Sequence, residues 1–417
     1  MSSLDPDRFL TQHITTTTGI GGRIKQVAED FVVGEIINYH QILDPRSESF
    51  ILPGKKGLFL HFVLIKNDID TSSALDWISK LWKIQRNNFS IAGSKDKKAL
   101  TAQRVSVWGA KTKFEKKLIQ NLSFPTMQTK ALCMKLKEIR LGNLWGNYFD
   151  ITVREIKYPK ERISKRIKET QKEIESKGGI LNSFGQQRFG DKRPITHIVG
   201  KRLLQEDVKG AIKNYIGKAF ETESEEIKKA RTIFWENENP KETLNILPSH
   251  LRIERKILKE LDKRKNDYFQ AFNSLPLQFQ KLFIHAYQSF LFNKYLQIRI
   301  ENYDMNLNKQ LTGEIKHEEK IFVPIIGATT ELSGQANEIY DRIFEEEGIN
   351  LKNFQKPFIK KIGGKGTQRA LSFKPEKIEI IEIEDDDLNT GKTKARLSFE
   401  IMKGSYATEF LREIMKN

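Results

Sequence analysis

The sequence predicts an α+β protein. Three observations carry this prediction: apolar strand-like segments with helices between them fill the chain up to about residue 180, longer charged helical segments follow from about residue 200, and strand patterns return near the C-terminus. At 417 residues the chain has room for roughly two or three domains and a substantial hydrophobic core. We therefore expect strands and helices to form largely separate parts of the fold.

The first strands and the first helix are predicted from short-range patterns. A strand is expected around residues 30–37, and a second, buried strand over the apolar run 58–65, which follows glycines. Ser73 and Asp76 resemble a capping box, and apolar residues in the same segment recur at helical spacing. A helix is therefore expected after the second strand.

The next elements are two strands joined by a charged loop, two further strands and a helix. Residues 88–109 show apolar segments on both sides of a lysine-rich loop, which predicts strand, loop and strand. Residues 136–153 are expected to form two strands around Gly142 and Gly146. The highly charged segment 157–177 predicts a solvent-facing helix that covers a sheet.

The C-terminal half is predicted to contain one long amphipathic helix and further strands. The helix is expected over 276–301, with proline in its first turn and one buried apolar stripe. Strand patterns cover 321–326, 378–383 and 395–401, and a short helix over 406–416 closes the chain.

The charge balance predicts a polyanionic partner. The chain has 71 Lys and Arg against 54 Asp and Glu, which gives a formal net charge of +17. A hydrophobic share of 38% is too high for a disordered basic tail, so the charge must decorate a folded body. A folded protein with a basic face is typical of nucleic-acid binding.

Composition also disfavours several kinds of site and location. The one cysteine, Cys133, cannot form an internal disulfide or a multi-cysteine metal site. No apolar run is long enough for a membrane span, and the N-terminus has no signal-peptide core, so we expect a cytoplasmic protein. The histidines lack metal-binding spacing, residues 391–393 lack the first glycine of a P-loop, and the acids 384–387 are typical of a solvated hairpin end. We therefore expect neither a metal nor a cofactor.

The lysine-rich loop has the clearest catalytic potential. Within residues 92–103, Asp96 follows a glycine turn and stands among Lys95, Lys97 and Lys98. Nearby positive charge keeps a carboxylate ionised, so Asp96 could act as a nucleophile or base, and the lysines would attract RNA phosphates. The alternative is a solvated Lys/Asp loop, and charge pattern alone does not decide between the two.

A second unusual segment lies at residues 182–190. It places Asn182, Phe184 and Arg188 between glycines, which suits a site that stacks on a base and hydrogen-bonds its edge. Arg188, Lys95 and Lys97 would then contact phosphates. The alternative is a glycine-rich turn with phenylalanines in the core.

Six strings, in order along the chain, resemble the TruD family of pseudouridine synthases. The resemblance runs from the first strand to the last helix, and the string 285–293 is similar to the archaeal and eukaryotic branch of the family. The strings are Gly22–Lys25 with Glu29–Glu35, Ala92–Gln103, Asn182–Gly190, His285–Asn293, Gly366–Arg369, and Gly404–Thr408 with Leu411–Glu413.

The resemblance implies roles for individual residues. Asp96 matches the catalytic aspartate of the family's Gly-x-Lys-Asp motif, and Lys25 matches the lysine expected beside it. Asn182 and Phe184 match the active-site asparagine and phenylalanine, and Phe184 would stack on the flipped base. Ser183 departs from the family, which usually has an aromatic residue there.

The resemblance also implies an activity and an architecture. The family isomerises uridine to pseudouridine in RNA, usually at position 13 of tRNA, without metal or coenzyme. Its fold is an α+β catalytic domain with a mostly antiparallel sheet, into which an α/β TRUD domain is inserted. Carried onto this chain, residues 1–200 and 386–417 form the catalytic domain and 201–385 the insert. We expect a monomer that binds tRNA and no membrane.

Two other classes of function remain as alternatives. A non-catalytic RNA-binding protein or RNA chaperone would use the same basic face and aromatic loops. A metal-dependent nuclease would use the acids 384–387.

Overall fold

The computed structural model describes residues 12–37, 40–54, 56–190 and 193–416. Its secondary structure confirms an α+β protein, with strands concentrated before residue 182 and after residue 366. The strands are β1 (Phe31–Ile36), β2 (Phe59–Asn67), β3 (Phe89–Ile91), β4 (Leu100–Trp108), β5 (Ser123–Phe124), β6 (Met127–Lys135), β7 (Gly146–Ile156), β8 (Ile180–Leu181), β9 (Ile315–His317), β10 (Lys320–Ile325), β11 (Thr367–Ala370), β12 (Ser372–Phe373), β13 (Glu376–Asp385) and β14 (Thr393–Met402). The α-helices are α1 (Thr71–Trp82), α2 (Lys111–Glu115), α3 (Lys160–Ser176), α4 (Thr196–Leu204), α5 (Val208–Gly217), α6 (Glu225–Asn237), α7 (Pro240–Ile246), α8 (Arg252–Lys263), α9 (Tyr268–Asn273), α10 (Leu277–Asn302), α11 (Gly334–Glu347), α12 (Leu351–Gln355), α13 (Pro357–Lys361) and α14 (Ala407–Met415).

The chain divides into two compact units. The first, called the sheet unit, comprises residues 15–176 and 373–417, and the second, called the helical unit, comprises residues 1–14 and 177–372, each over its described part. The predicted domain boundaries after residues 200 and 385 lie further along the chain. Residues 373–385 belong to the sheet unit because they include β13, which pairs with β14. Which unit performs catalysis stays a prediction.

The sheet unit is built on a nine-stranded, mostly antiparallel sheet. The strand order is β13-β14-β7-β1-β4-β2-β6-β5, and β3 also pairs with β4. Within the described chain, β1 and β4 form the one parallel pair of this sheet, with Val32 opposite Leu100. Because parallel neighbours begin at the same edge, the segments that precede β1 and β4 meet there. Strand β2 runs antiparallel to β4, with Asn67 opposite Leu100, so its C-terminal end reaches the same edge.

Helix α1 covers one face of this sheet. Its apolar side contributes Ala74, Leu75 and Ile78, which pack with Leu60 and Phe62 of β2. The predicted capping box is wrong in detail, because the cap of α1 is Asp70, whose side chain accepts a 2.9 Å hydrogen bond from the Ser73 amide. The helix therefore begins before the predicted capping box, close to the end of β2 along the chain.

The prediction of two strands over residues 136–153 is also wrong in part. The segment between β6 and β7 is irregular, and β7 alone begins where the second strand was expected, at Gly146. Of the apolar residues that suggested a strand, Leu136 and Leu141 are 75% and 86% exposed. They do not face a core, so their spacing carries no information about burial.

The helical unit is organised around α10. Residues 286–296 of this helix are buried on every side, rather than along the single stripe that an amphipathic helix would have. Pro276 is its N-cap rather than a residue of its first turn. A separate three-stranded sheet has the order β11-β10-β9. No helix within the described ranges is long and apolar enough to cross a membrane.

Candidate active site

Asp96 lies at the sheet edge where the starts of β1 and β4 and the end of β2 meet. Its loop, residues 92–99, connects β3 to β4, and Lys25 lies in the segment that leads into β1. The two side chains form an ion pair, with 3.4 Å between Lys25 Nζ and Asp96 Oδ1. The side chains of Lys25 and Asp96 are 21% and 30% exposed, so the pair is partly accessible. The predicted association of these two residues therefore follows from the strand arrangement.

Lys25 is held by its local backbone and by an aromatic ring. Its φ of +61° is uncommon for a residue with a side chain and costs about 1 kcal/mol or more unless the surroundings impose it. The neighbouring Arg23 exchanges both backbone hydrogen bonds with Arg154 of β7, each 2.8 Å long. The ammonium of Lys25 lies 4.0 Å from the centre of the Phe31 ring. The lysine is thus directed toward Asp96 by contacts on both sides.

The Asp96 loop is anchored by two polar residues beneath it. Lys66, at the end of β2, is fully buried and donates a hydrogen bond to the backbone carbonyl of Asp96. Thr71, the first residue of α1, accepts a 3.1 Å hydrogen bond from the backbone amide of Lys95 and lies 3.2 Å from Gln103 Oε1. Gln103 in turn donates to the carbonyl of Gly93, at 3.0 Å. The loop backbone is therefore fixed on both sides of Asp96.

Gly93 has no local structural reason to be glycine. Its backbone does not have positive φ, and no described atom lies within 4 Å of the position that a Cβ would occupy. A glycine facing open space is suited to close approach of a ligand to the backbone. The turn before Asp96 therefore leaves room for a substrate.

The lysines around Asp96 point in different directions. Lys97 and Lys98 are exposed, as a phosphate-binding role requires. Lys95 differs from the prediction, because its side chain is only 6% exposed and its ammonium lies 3.8 Å from Glu35. The same carboxylate accepts a 3.0 Å hydrogen bond from Arg104. The negative charge of Glu35 thus offsets two buried cations. Lys95 holds the loop through its contact with Glu35 rather than facing solvent.

Burial changes the proton affinity of both interior lysines. Burial lowers the pKa of Lys66 to about 8, although the carboxylates of Asp96, Asp70 and Asp68 partly oppose this shift. Burial also lowers the pKa of Lys95, against the opposing effect of Glu35. Lys66 can therefore change its charge just above neutral pH, directly beneath Asp96.

The other three predicted site residues lie in the helical unit. The side chain and the backbone carbonyl of Asn182 each accept a 2.8 Å hydrogen bond from Arg369. The Arg369 guanidinium also lies 4.0 Å from the centre of the Phe184 ring. Asn293 of α10 bonds the Phe184 backbone twice, at 2.9 Å each. Asn182 and Phe184 are therefore held in place together, and Arg369 contacts both of them.

Phe184 and Arg188 are less open than their predicted roles suggest. Phe184 is 8% exposed, with the edge of Phe292 at a centroid distance of 5.6 Å in addition to the Arg369 contact. Arg188 is half-buried and donates a 3.0 Å hydrogen bond from Nε to Ser289.

Sequence reasoning missed Lys66 and Thr71 and gave Arg369 no role. The signal for Lys66 was a lysine that directly follows the apolar run 58–65, where an amphipathic exit from a buried strand was the simpler interpretation. Arg369 stood within a string that resembled the family, but its partner Asn182 is almost two hundred residues away in sequence.

The acids 384–387 are engaged in structural ion pairs. Arg154 contacts Asp386 and Asp387, at 2.8 and 2.9 Å, and Lys394 contacts Asp387 at 2.5 Å. These carboxylates neutralise protein cations. The expectation of a solvated hairpin end is wrong for Asp386, whose side chain is fully buried against Arg154. No group of three metal-ligating side chains was found in the described ranges.

Comparison with known proteins identifies the family. The family model described as tRNA pseudouridine synthase D (TruD) matches residues 10–321 and 316–414. The chain belongs to the TruD family of tRNA pseudouridine synthases. A Methanosarcina barkeri relative named "Probable tRNA pseudouridine synthase D" is 34% identical, with 98% of this chain and 96% of the relative covered. A Thermococcus gammatolerans relative of the same name is also 34% identical, over 99% of this chain and 100% of its own length.

The fold agrees with this family as well. The crystal structure of a "Putative tRNA pseudouridine synthase D (TruD)" from Methanosarcina mazei is similar, with a TM-score of 0.79 and 33% identity, and the match covers 100% of this chain and 98% of that one. The predicted resemblance to TruD proteins is therefore confirmed at the level of both sequence and fold.

Proposed function

We propose that this TruD-family chain isomerises uridine to pseudouridine in tRNA and that Asp96 is its catalytic carboxylate. The observation that carries the proposal is the ion pair of Asp96 with Lys25 on a loop that buried Lys66 and Thr71 hold in place. The ion pair orients the carboxylate, and its partial exposure leaves it accessible to a substrate, as a nucleophile or base requires.

The reaction needs a carboxylate but no oxidant or energy source. The bond from ribose C1′ to N1 of uracil breaks, and a bond from C1′ to C5 forms, while C5 loses a proton and N1 gains one. The target base must leave its stack before it can rotate, at a cost of about a few kcal/mol. Asp96 acts on this extruded nucleoside, at the ribose or at the base.

The remaining site residues have supporting roles in this proposal. Lys25 orients the Asp96 carboxylate through their ion pair. Asn182 and Phe184 contact the target nucleoside, in line with the family pattern, and Arg188 and exposed Lys97 contact phosphates. Lys95 contributes through its contact with Glu35, which fixes the loop, rather than by a phosphate contact.

The finer features follow the family. We propose uridine 13 of tRNA as the target, a monomeric cytoplasmic enzyme, and turnover without metal or coenzyme. The mostly antiparallel sheet, with Asp96 at its edge, would then be the core of the catalytic domain, and the helical unit would contain the insert.

The deciding experiment replaces Asp96 with asparagine. Asp96→Asn retains size and most hydrogen bonds but removes the charge, so we expect tRNA binding within about twofold of wild type and no detectable pseudouridine. Asp262→Asn, on the exposed face of α8, is the matched control and should retain full activity. Turnover in Asp96→Asn would refute its assignment.

The same assay separates the alternative functions. A non-catalytic RNA-binding protein would yield no pseudouridine even with the wild-type chain. A nuclease would yield shortened RNA, and its activity would respond to a chelator, whereas an isomerase leaves chain length unchanged.

A further inference from the structure

A pocket of about 520 Å³ lies within the sheet unit, separate from the Asp96 carboxylate. Its lining comes from the segment before β2, from residues 134–139 at the end of β6, and from His61, Arg104 and Asn143. This volume falls within the range of sites that bind ligands of nucleotide size. None of the residues assigned above to the target nucleoside lines it.

A close backbone approach forms one wall of the pocket. Gly54 lines the pocket, and a Cβ at this residue would lie 2.6 Å from the carbonyl oxygen of Met134, so its close approach to the end of β6 requires a glycine. The apolar part of the lining includes Met134 and Ile139, which suit the face of a base.

The rim of the pocket has an excess of positive charge. Lys56, Lys135 and Lys137 line it, and none of these ammonium groups has a carboxylate within salt-bridge distance in the described part of the chain. The one acid of the lining, Glu138, accepts a hydrogen bond from Ser90. Three unpaired lysines around one concave site favour an anionic ligand.

The floor of the pocket offers both a donor and an acceptor. Arg104, 8% exposed, uses Nε for Glu35 and one terminal nitrogen for the Asn143 carbonyl, which leaves its other terminal nitrogen without an acceptor among the described residues. His61, 4% exposed, lies 2.8 Å from the Lys137 carbonyl through Nε2, so that nitrogen carries the proton. Its Nδ1 is then an acceptor, and it has no partner in the described structure.

The pocket shares a wall with the Asp96 loop. Ile139 of its lining packs with Ala92 and Leu144, and the Gly142 amide donates a 2.8 Å hydrogen bond to the Ala92 carbonyl. A second connection passes from Arg104 through Glu35 to Lys95. The pocket and the Asp96 loop are therefore connected by buried contacts within the sheet unit.

We propose that this pocket binds a single-stranded nucleotide of the RNA substrate that neighbours the target uridine. Lys135 and Lys137 contact its phosphates, Arg104 donates to phosphate or base, and His61 Nδ1 accepts from a ribose 2′-hydroxyl or a base N–H. The proposal rests on the proposed function, since it assumes that the RNA substrate is bound at Asp96.

The first test removes the rim charges. In the double variant Lys135→Ala with Lys137→Ala we expect KM for tRNA to rise about tenfold, with the effect on KM rather than kcat. The slope of log K against log salt should become shallower by about 1.4, the value for two single-strand phosphate contacts. The matched control removes two exposed lysines of α3, Lys168 and Lys172, and should change KM by less than twofold. Equal KM values in the two double variants would overturn the proposal.

The second test examines the contact proposed for His61 on the floor of the pocket. Single 2′-deoxy and single abasic substitutions at nucleotides flanking the target remove one hydroxyl or one base at a time. They should identify a position where this loss weakens binding several-fold in wild type but not in His61→Phe. A flat scan of 2′-deoxy and abasic positions would count against the site. Titration with uridine 5′-monophosphate distinguishes the source, because saturation of the pocket at micromolar mononucleotide would indicate a free nucleotide and not an RNA strand.

These tests separate the two proposals. If wild type forms pseudouridine and the rim variant behaves like its control, the pocket assignment fails alone. If wild type forms none, the proposed function fails, whatever the binding data show.

Discussion

At the scale of single residues, the candidate site depends on a buried cation that fixes the backbone of the loop carrying a partly exposed carboxylate. Lys25 contacts the Asp96 carboxylate, whereas Lys66 contacts only its backbone carbonyl. Lys66 is therefore a positioning residue. Burying a lysine away from solvent reduces the free energy of unfolding, which suggests that the loop geometry fixed by Lys66 has functional value.

Replacing Lys66 should slow catalysis without weakening the fold. In Lys66→Met the buried charge disappears but the volume stays similar, so we expect unchanged or higher stability to urea and a 10- to 100-fold lower kcat, from displacement of Asp96 by about 1 Å. Lys66→Arg retains the charge in a larger group and should recover part of the loss. Unaltered kcat in Lys66→Met would contradict the positioning role.

The pH dependence gives an independent reading of the same lysine. Its pKa in the folded chain is about 8, below its ordinary value near 10.5, because it is buried. At this site the unfolded chain thus binds more protons between these values, so the contribution of Lys66 to the free energy of unfolding should rise by up to about 3 kcal/mol from pH 8 to 10.5. Lys66→Met should lack this rise, which urea unfolding at several pH values would measure.

The sequence allowed the reactive groups to be predicted better than the residues that hold them. Asp96 and Lys25 lie in short strings, so resemblance could place them. Lys66 and Arg369 act through backbone carbonyls and distant partners, and such contacts leave no local pattern in a sequence. Lys95 was misassigned because a lysine beside an exposed loop gives no indication of which way its side chain points.

At the scale of elements, the site is a consequence of one parallel strand pair in a mostly antiparallel sheet. The β1–β4 pairing brings the lead-in segments of both strands to one edge. Apolar periodicity predicted most strand positions, but it could not predict their order, because pairing partners depend on long-range register. The strand prediction for the segment 136–144 was wrong for a related reason, because exposed leucines there resemble the apolar pattern of a strand.

The segment that carries Lys25 is tied to the sheet by a buried charge cluster. Arg154 of β7 binds Asp30 at 2.7 Å and Asp386 at 2.8 Å. Arg154→Met would leave both acids buried without their cation, so we predict a loss of about 3–5 kcal/mol in the free energy of unfolding. Adding Asp30→Asn should recover part of that loss in a double-mutant cycle.

A neighbouring ion pair whose acid is largely exposed provides the control for this prediction. Lys394 contacts Asp387, a largely exposed carboxylate, so Lys394→Met should change urea stability little. If Arg154→Met and Lys394→Met unfold at the same urea concentration, the cluster does not anchor the segment.

At the scale of the whole molecule, the net charge of +17 determines how the chain meets its substrate. Every lysine or arginine that contacts a phosphate releases a counterion, so affinity for tRNA falls as salt rises. If about six phosphates are contacted, we predict about a thousandfold loss of affinity between 50 and 200 mM salt. Fluorescence anisotropy with labelled tRNA across this range would measure the slope.

The same titration distinguishes a charge-driven interface from one dominated by base contacts. Asp96→Asn should give the wild-type slope, because that residue contacts the target nucleoside and no phosphate. A slope near zero for wild-type protein would show that base or shape contacts dominate instead. The excess of lysine would then have to be explained by something other than RNA binding.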